Sequence, residues 1–116
     1  MPECQRVAVD AYTVCVYHRG VVRSFADRAT EHVFYGEDTK AARRLPKALW
    51  PLARRKLDLL HGVSSLSDLA RPPGNRLEAL RGEQAGRHSI RVNEQYRITF
   101  RFEVDGAWGV RCEDYH

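Results

Sequence analysis

Alternation of apolar and polar positions is strongest between residues 88 and 102. Ser89-Ile90-Arg91-Val92 alternates with period two, and so does Arg97-Ile98-Thr99-Phe100-Arg101-Phe102. The polar link Asn93-Glu94-Gln95 between them suits a hairpin. Two paired strands are predicted, with Ile98, Phe100 and Phe102 on a greasy face that needs helices over it. Arg91, Arg97, Thr99 and Arg101 fall on the opposite face, where Arg97 is expected to reach solvent.

Upstream, the period changes. Leu45, Leu49, Leu52, Leu59 and Leu60 are spaced as on one side of a helix within residues 39–61. Pro46 suits a first turn and Pro51 marks a kink or restart, so the firm helix is expected from Pro46 to a stop at Gly62. An earlier helix is expected over residues 26–34, capped by Ser24 and ending near Gly36. Residues 21–25 read as a short strand. Residues 64–68 read as a loop or one helical turn, and residues 71–75 as a turn cluster. The sheet is expected to begin at residues 76–80 with Leu77 inward, and Asp105-Gly106 to turn into a last strand over residues 107–112. Residues 1–20 are either one more strand or an extension outside the core. Helices followed by strands give an α+β fold: two N-terminal helices packed on one face of a mainly antiparallel sheet of about four to five strands.

A chain of 116 residues, 43% hydrophobic and 29% charged, makes one globular domain. The net charge of +4 permits an anionic partner. Its distribution is more informative: residues 39–61 carry seven Lys/Arg against one Asp, and residues 71–101 seven Arg against three Glu. Cys4, Cys15 and Cys112 are odd in number, widely spaced and without a CxxC, which argues against a disulfide framework or a zinc ribbon and fits reduced thiols in a cytoplasm. No apolar run approaches the roughly 20 residues of a membrane span. The N-terminus lacks the basic region and unbroken apolar core of a signal peptide.

Four segments resemble HigB-type killer toxins of the RelE/ParE superfamily. They are V-V-R-S-F at 21–25, R-L-E-A-L-R-G at 76–82, H-S-I-R-V-N-E-Q-Y-R-I-T-F at 88–100 and E-D-Y-H at 113–116. The resemblance covers residues 21–116, so residues 1–20 are expected to be an N-terminal extension outside a RelE-like toxin domain. It implies a toxin that cleaves messenger RNA on the ribosome, without metal or cofactor, in the cytoplasm. It also implies a partner antitoxin of the HigA helix-turn-helix type. By the same resemblance Asp114, Tyr115 and His116 fall where family members place catalytic residues. Arg97 is the arginine of the Y-R-I-T-F motif, and Arg81 stands where the family has lysine. Glu78 and His88 depart from one branch, which has histidine and tryptophan there.

The residue types suit that chemistry. Metal-independent RNA cleavage uses the 2′-hydroxyl as nucleophile, and guanidinium donors stabilise the charge that develops on phosphate. Histidine suits the proton transfers. Arg97, Arg81 and His116 form such a set, with Asp114 orienting the imidazole and Tyr115 stacking on a base. Candidate RNA-binding residues are Arg76, His88, Arg91 and Arg101, with Lys47, Arg54 and Arg55 of the helix. The plainer readings are a solvated helix face, a structural His88, and arginines that meet antitoxin acids. Two rivals share the fold: a non-catalytic inhibitor of DNA gyrase of the ParE kind, and an inactive nucleic-acid-binding relative.

Overall fold

The computed structural model describes residues 22–63 and 65–114. The expected extension over residues 1–20, and Tyr115 and His116, lie outside the described residues. Three helices precede a four-stranded sheet: α1 (Arg28–Phe34), α2 (Trp50–Gly62), α3 (Leu66–Ala70), then β1 (Glu78–Ala79), β2 (His88–Arg91), β3 (Tyr96–Glu103) and β4 (Gly106–Asp114). The strands pair antiparallel in sequence order. The expected α+β layering with α1 and α2 on one sheet face is what the chain adopts.

Period two sets the faces. Ile90, Ile98, Phe100, Val110 and Cys112 are buried against Val33, Leu57 and Leu60 of the helices. In the β2–β3 hairpin, Asn93 Oδ1 accepts from the N–H groups of Gln95 (2.9 Å) and Tyr96 (2.8 Å), an Asx turn that sets the register. Ile90 then lies opposite Ile98, and Arg91 opposite Arg97.

Three local expectations change. α1 is capped by Asp27, whose Oδ1 accepts from Thr30 N–H (2.9 Å), not by Ser24. Ser24 Oγ instead accepts from Gly109 N–H (2.8 Å), because residues 22–26 run along the outer edge of β4. They do so by two isolated parallel bridges, Val22 to Ala107 and Phe25 to Val110, rather than as a full strand. This segment protects an edge that would otherwise present unpaired backbone groups. Finally, Pro46 opens only a 3-10 turn (Lys47–Leu49), and the α-helix starts at Trp50 with Pro51 in its first turn, where its missing N–H costs nothing. His61 is half-buried and accepts from Val22 N–H through Nδ1 (3.1 Å).

Cys112 extends the edge protection, its N–H donating to Thr30 Oγ1 (2.8 Å). Burial, with Asp27 and Glu113 adding, pushes its thiol up from 9.0 to about 12. The folded protein therefore holds it as unreactive thiol at neutral pH. A variant with Cys4→Ser and Cys15→Ser should resist iodoacetamide at pH 8 while folded and react once denatured. Rapid labelling of the native variant would show that the α1–β4 contact opens readily. Above pH 9 the unfolded chain ionises this thiol first, so the group withdraws stability as pH rises from 9 toward 12.

Candidate active site

The second sheet face is polar, buried at its centre and open to water toward its margins. Alternation and register bring Glu78, Ser89, Arg91, Arg97, Thr99 and Glu113 together there: Glu78 opposite Ser89, Ser89 opposite Thr99, and Arg97 opposite both Arg91 and Glu113. Arg97 lies at the centre. It is only 6% exposed, against the expectation that it reaches solvent. Alternation assigns a side chain to a face and says nothing about what covers that face. Here the cover is a shell of polar partners. Arg97 Nη1 donates to Glu78 Oε1 (2.8 Å) and Ser89 Oγ (2.7 Å), and Nη2 reaches the Arg76 carbonyl (3.5 Å). Glu78 is half-exposed, so the ion pair opens to solvent on the carboxylate side.

A second polar chain runs beside the first. Thr99 Oγ1 donates to Glu113 Oε2 (2.6 Å) and accepts from Arg87 Nη2 (3.2 Å). Arg87 also donates to the Gly109 carbonyl (2.7 Å). Burial lowers the pKa of Arg87, and the Glu113 carboxylate opposes that effect. Gly109 is required here twice over: its φ is +60°, and a Cβ would sit 3.1 Å from Arg87 Nη1.

Arg97 stands between two clefts. One, of about 270 Å³, is lined by Leu80, Gln84, Ser89, Thr99, Glu113 and Asp114 besides Arg97. The other, of about 260 Å³, is lined by Arg76, Arg91, Asn93 and Glu94 besides Arg97. Of the sequence candidates, Arg97 lines both clefts, Asp114 the first, and Arg76 and Arg91 the second. Asp114 is held by Gln95 Nε2 (2.9 Å) and lies opposite Tyr96, while its neighbour Glu113 is the residue opposite Arg97.

The others lie elsewhere. Arg81 is exposed at the start of a short 3-10 turn and lines neither cleft. His88 is on the core side of the sheet, its ring stacked on Phe100 at 6.2 Å, because it pairs with Phe100 and precedes Ser89. That position removes it from the arginine face and from RNA contact through that face. Arg101 pairs with Glu103 (2.7 Å) and lies over the Trp108 ring. Lys47 pairs with Asp38 (3.0 Å), and the Arg54 guanidinium packs over Gly36. Arg55 is exposed on α2. None of these helix cations lines the clefts. Ser89, Glu113 and Arg87 were not singled out from the sequence, Thr99 was placed on the arginine face without a role, and Glu78 was noted only as a departure from one branch of the family. Register counted outward from the Asx turn was the signal that would have found the residues facing Arg97.

A half-buried guanidinium cluster with carboxylates beside it suits an anionic substrate whose charge changes during reaction. Comparison with known proteins places the chain in a family. Residues 23–116 match the family model of HigB-like toxins, described as RelE-like toxin of type II toxin–antitoxin system HigB. Over 83 residues the sequence is 46% identical to Toxin HigB-1 of Vibrio cholerae serotype O1, an alignment that spans 72% of this chain and 84% of that protein. Over 60 residues it is 38% identical to an uncharacterized protein of Haemophilus influenzae, spanning 52% of this chain and 59% of that one. Among solved structures, a YoeB/ParE toxin from Agrobacterium tumefaciens is similar at 19% identity and a TM-score of 0.47, over 83% of this chain and 99% of that chain.

The protein is a toxin of a type II toxin–antitoxin system. Within that class the chain belongs to the HigB-like family of RelE-like toxins. Membership implies an antitoxin partner. Among the described residues no helix is long and apolar enough to cross a membrane.

Proposed function

We propose that this toxin is an endoribonuclease that cleaves messenger RNA on the ribosome, in the cytoplasm, by attack of the 2′-hydroxyl on the adjacent phosphate. The supporting observation is Arg97, a guanidinium immobilised by Glu78 and Ser89 at the junction of two clefts. Preorganised donors of this kind stabilise the charge on a pentacoordinate phosphorus without reorganising during reaction. In this reading Arg97 stabilises the phosphate from the position in which Glu78 and Ser89 hold it, and Glu78 takes the 2′-hydroxyl proton. The 2′-oxygen bonds to phosphorus, the bond to the 5′-oxygen breaks, and His116 protonates the leaving oxygen. The products are a 2′,3′-cyclic phosphate and a 5′-hydroxyl. Asp114 orients His116, Tyr115 stacks on a base, and Arg81 adds positive charge at the rim. Neither a metal nor a cofactor enters these steps.

The antitoxin in this reading is of the HigA helix-turn-helix type, and its acidic groups cover the arginine face. Charge complementarity would speed its association. Induced expression of the toxin alone should arrest growth and fragment messages, and co-expression of the antitoxin should restore both. Mapping message ends in ribosome-bound and ribosome-free RNA is the deciding measurement. Arrest with intact messages would remove the nuclease and favour an inhibitor of DNA gyrase. Normal growth would favour an inactive relative.

A further inference from the structure

The cleft of Arg76 and Arg91 holds charge that the chemistry at Arg97 does not use. Arg91 and Arg97 stand directly opposite each other across β2 and β3. Like charges at a directly opposed pair destabilise a sheet. Beside them Arg76 has φ +45° and ψ 56°, and it is the one non-glycine residue with positive φ among the described residues. Such a backbone conformation is strained for arginine, and strain of this kind gathers at functional sites.

The neighbours explain how the strain is held. Asn75 is fully buried, its Nδ2 donating to the Leu69 carbonyl (2.9 Å) and its Oδ1 accepting from Lys56 Nζ of α2. The chain must turn back immediately after this anchor. The left-handed turn then aims the Arg76 carbonyl at Arg97 Nη2 and leaves the Arg76 guanidinium on the cleft. Neither Arg76 nor Arg91 has a side-chain hydrogen bond or ion pair among the described residues, although the Glu94 carboxylate shares the cleft. Burial lowers the pKa of the Lys56 ammonium, and the nearby Arg55 and Arg91 charges add to that effect.

Two arginines on one cleft, beside an anchored left-handed turn, make a site for an anion. We propose that Arg76 and Arg91 form a second phosphate subsite, which grips the RNA phosphate next to the one at Arg97. The subsite rests on the reading that Arg97 holds the scissile phosphate. Its role is to fix the register of the strand, so that one particular phosphodiester lies at Arg97.

The test uses small ligands that need neither ribosome nor turnover. Cytidine 3′-monophosphate, cytidine 5′-monophosphate and cytidine 3′,5′-bisphosphate are titrated calorimetrically into the wild type, Arg76→Gly and Arg91→Gln. Glycine accepts the left-handed turn, so Arg76→Gly should fold at least as stably as wild type. Wild type should bind the bisphosphate roughly tenfold tighter than either monophosphate, the worth of one charge-assisted contact. Both variants should lose that gain and keep monophosphate binding. A wild type without the gain, or folded variants that retain it, overturns the subsite. Message cleavage on ribosomes is assayed in parallel. Cleavage without a bisphosphate gain sinks the subsite and leaves the nuclease. A gain lost in both variants without any cleavage by wild type leaves the subsite and sinks the nuclease.

Discussion

Arg97→Ala should reduce message cleavage on ribosomes by about 10²–10³, the usual consequence of deleting a donor that stabilises transition-state charge. Growth arrest on induction should disappear with it. The structure adds a stability cost that a surface arginine would not carry. Arg97 is buried, and its removal strands the fully buried Ser89 hydroxyl while Glu78, half-exposed, turns back to water. Leaving such a hydroxyl unpaired costs about 1–3 kcal/mol. A lower melting temperature is therefore expected alongside lost activity, and the two must be separated. Arg97→Lys fills the site and keeps the charge. It cannot, however, hold a carboxylate and a phosphate through one planar fork. Folding should recover in that variant while cleavage stays well below wild type. Near-wild-type cleavage by a folded Arg97→Ala protein would exclude Arg97 from the chemistry.

His116→Gln should cost about 10²–10⁴ in cleavage rate, the range for losing a general acid or base. The case for it starts at Asp114, the end of β4, which lines the same cleft as Arg97. The family resemblance puts the proton carrier two residues further on, at His116. Glutamine keeps the size and hydrogen bonding of histidine but carries no titratable proton. Thermal melting should be unchanged. The readout is single-turnover cleavage of message on ribosomes, with wild type and Asp114→Asn alongside. Asp114→Asn should fall by less than His116→Gln if Asp114 only orients the ring. Full cleavage by His116→Gln would end its candidacy as the proton carrier and pass that role to Glu113, the carboxylate opposite Arg97.

Much of the fold was legible in local pattern. The hairpin is written in the alternation from Ser89 to Phe102 around the Asn93 turn, and the end of α2 in Gly62; the leucine stripe was a poorer guide, since Leu52 is exposed and α2 buries Ala53, Leu57 and Leu60. These elements satisfy most of their hydrogen bonds between sequence neighbours, so a local signal suffices. The cap of α1 was less legible. Ser24 and Asp27 are both good caps, and the choice between them depended on β4, more than 80 residues away, which claims the Ser24 hydroxyl through Gly109. The site was legible in part: Arg97 and Asp114 could be named from motifs, and Arg76 and Arg91 from charge.

By itself, then, the sequence determined the order of elements, the face of the sheet to which each strand residue points, and the family motifs. Those follow from the periods of backbone geometry and from residue types, which are properties of short segments. Only the tertiary structure decided that Arg97, at the centre of the arginine face, is covered rather than open. It did so by bringing Glu78, Ser89 and Arg76 onto Arg97 from strands and turns distant in the chain. It also decided that His88 packs on Phe100 and that Glu113 lies opposite Arg97. Burial and ion pairing depend on which distant segments meet, and a strand's period specifies its faces without specifying its neighbours.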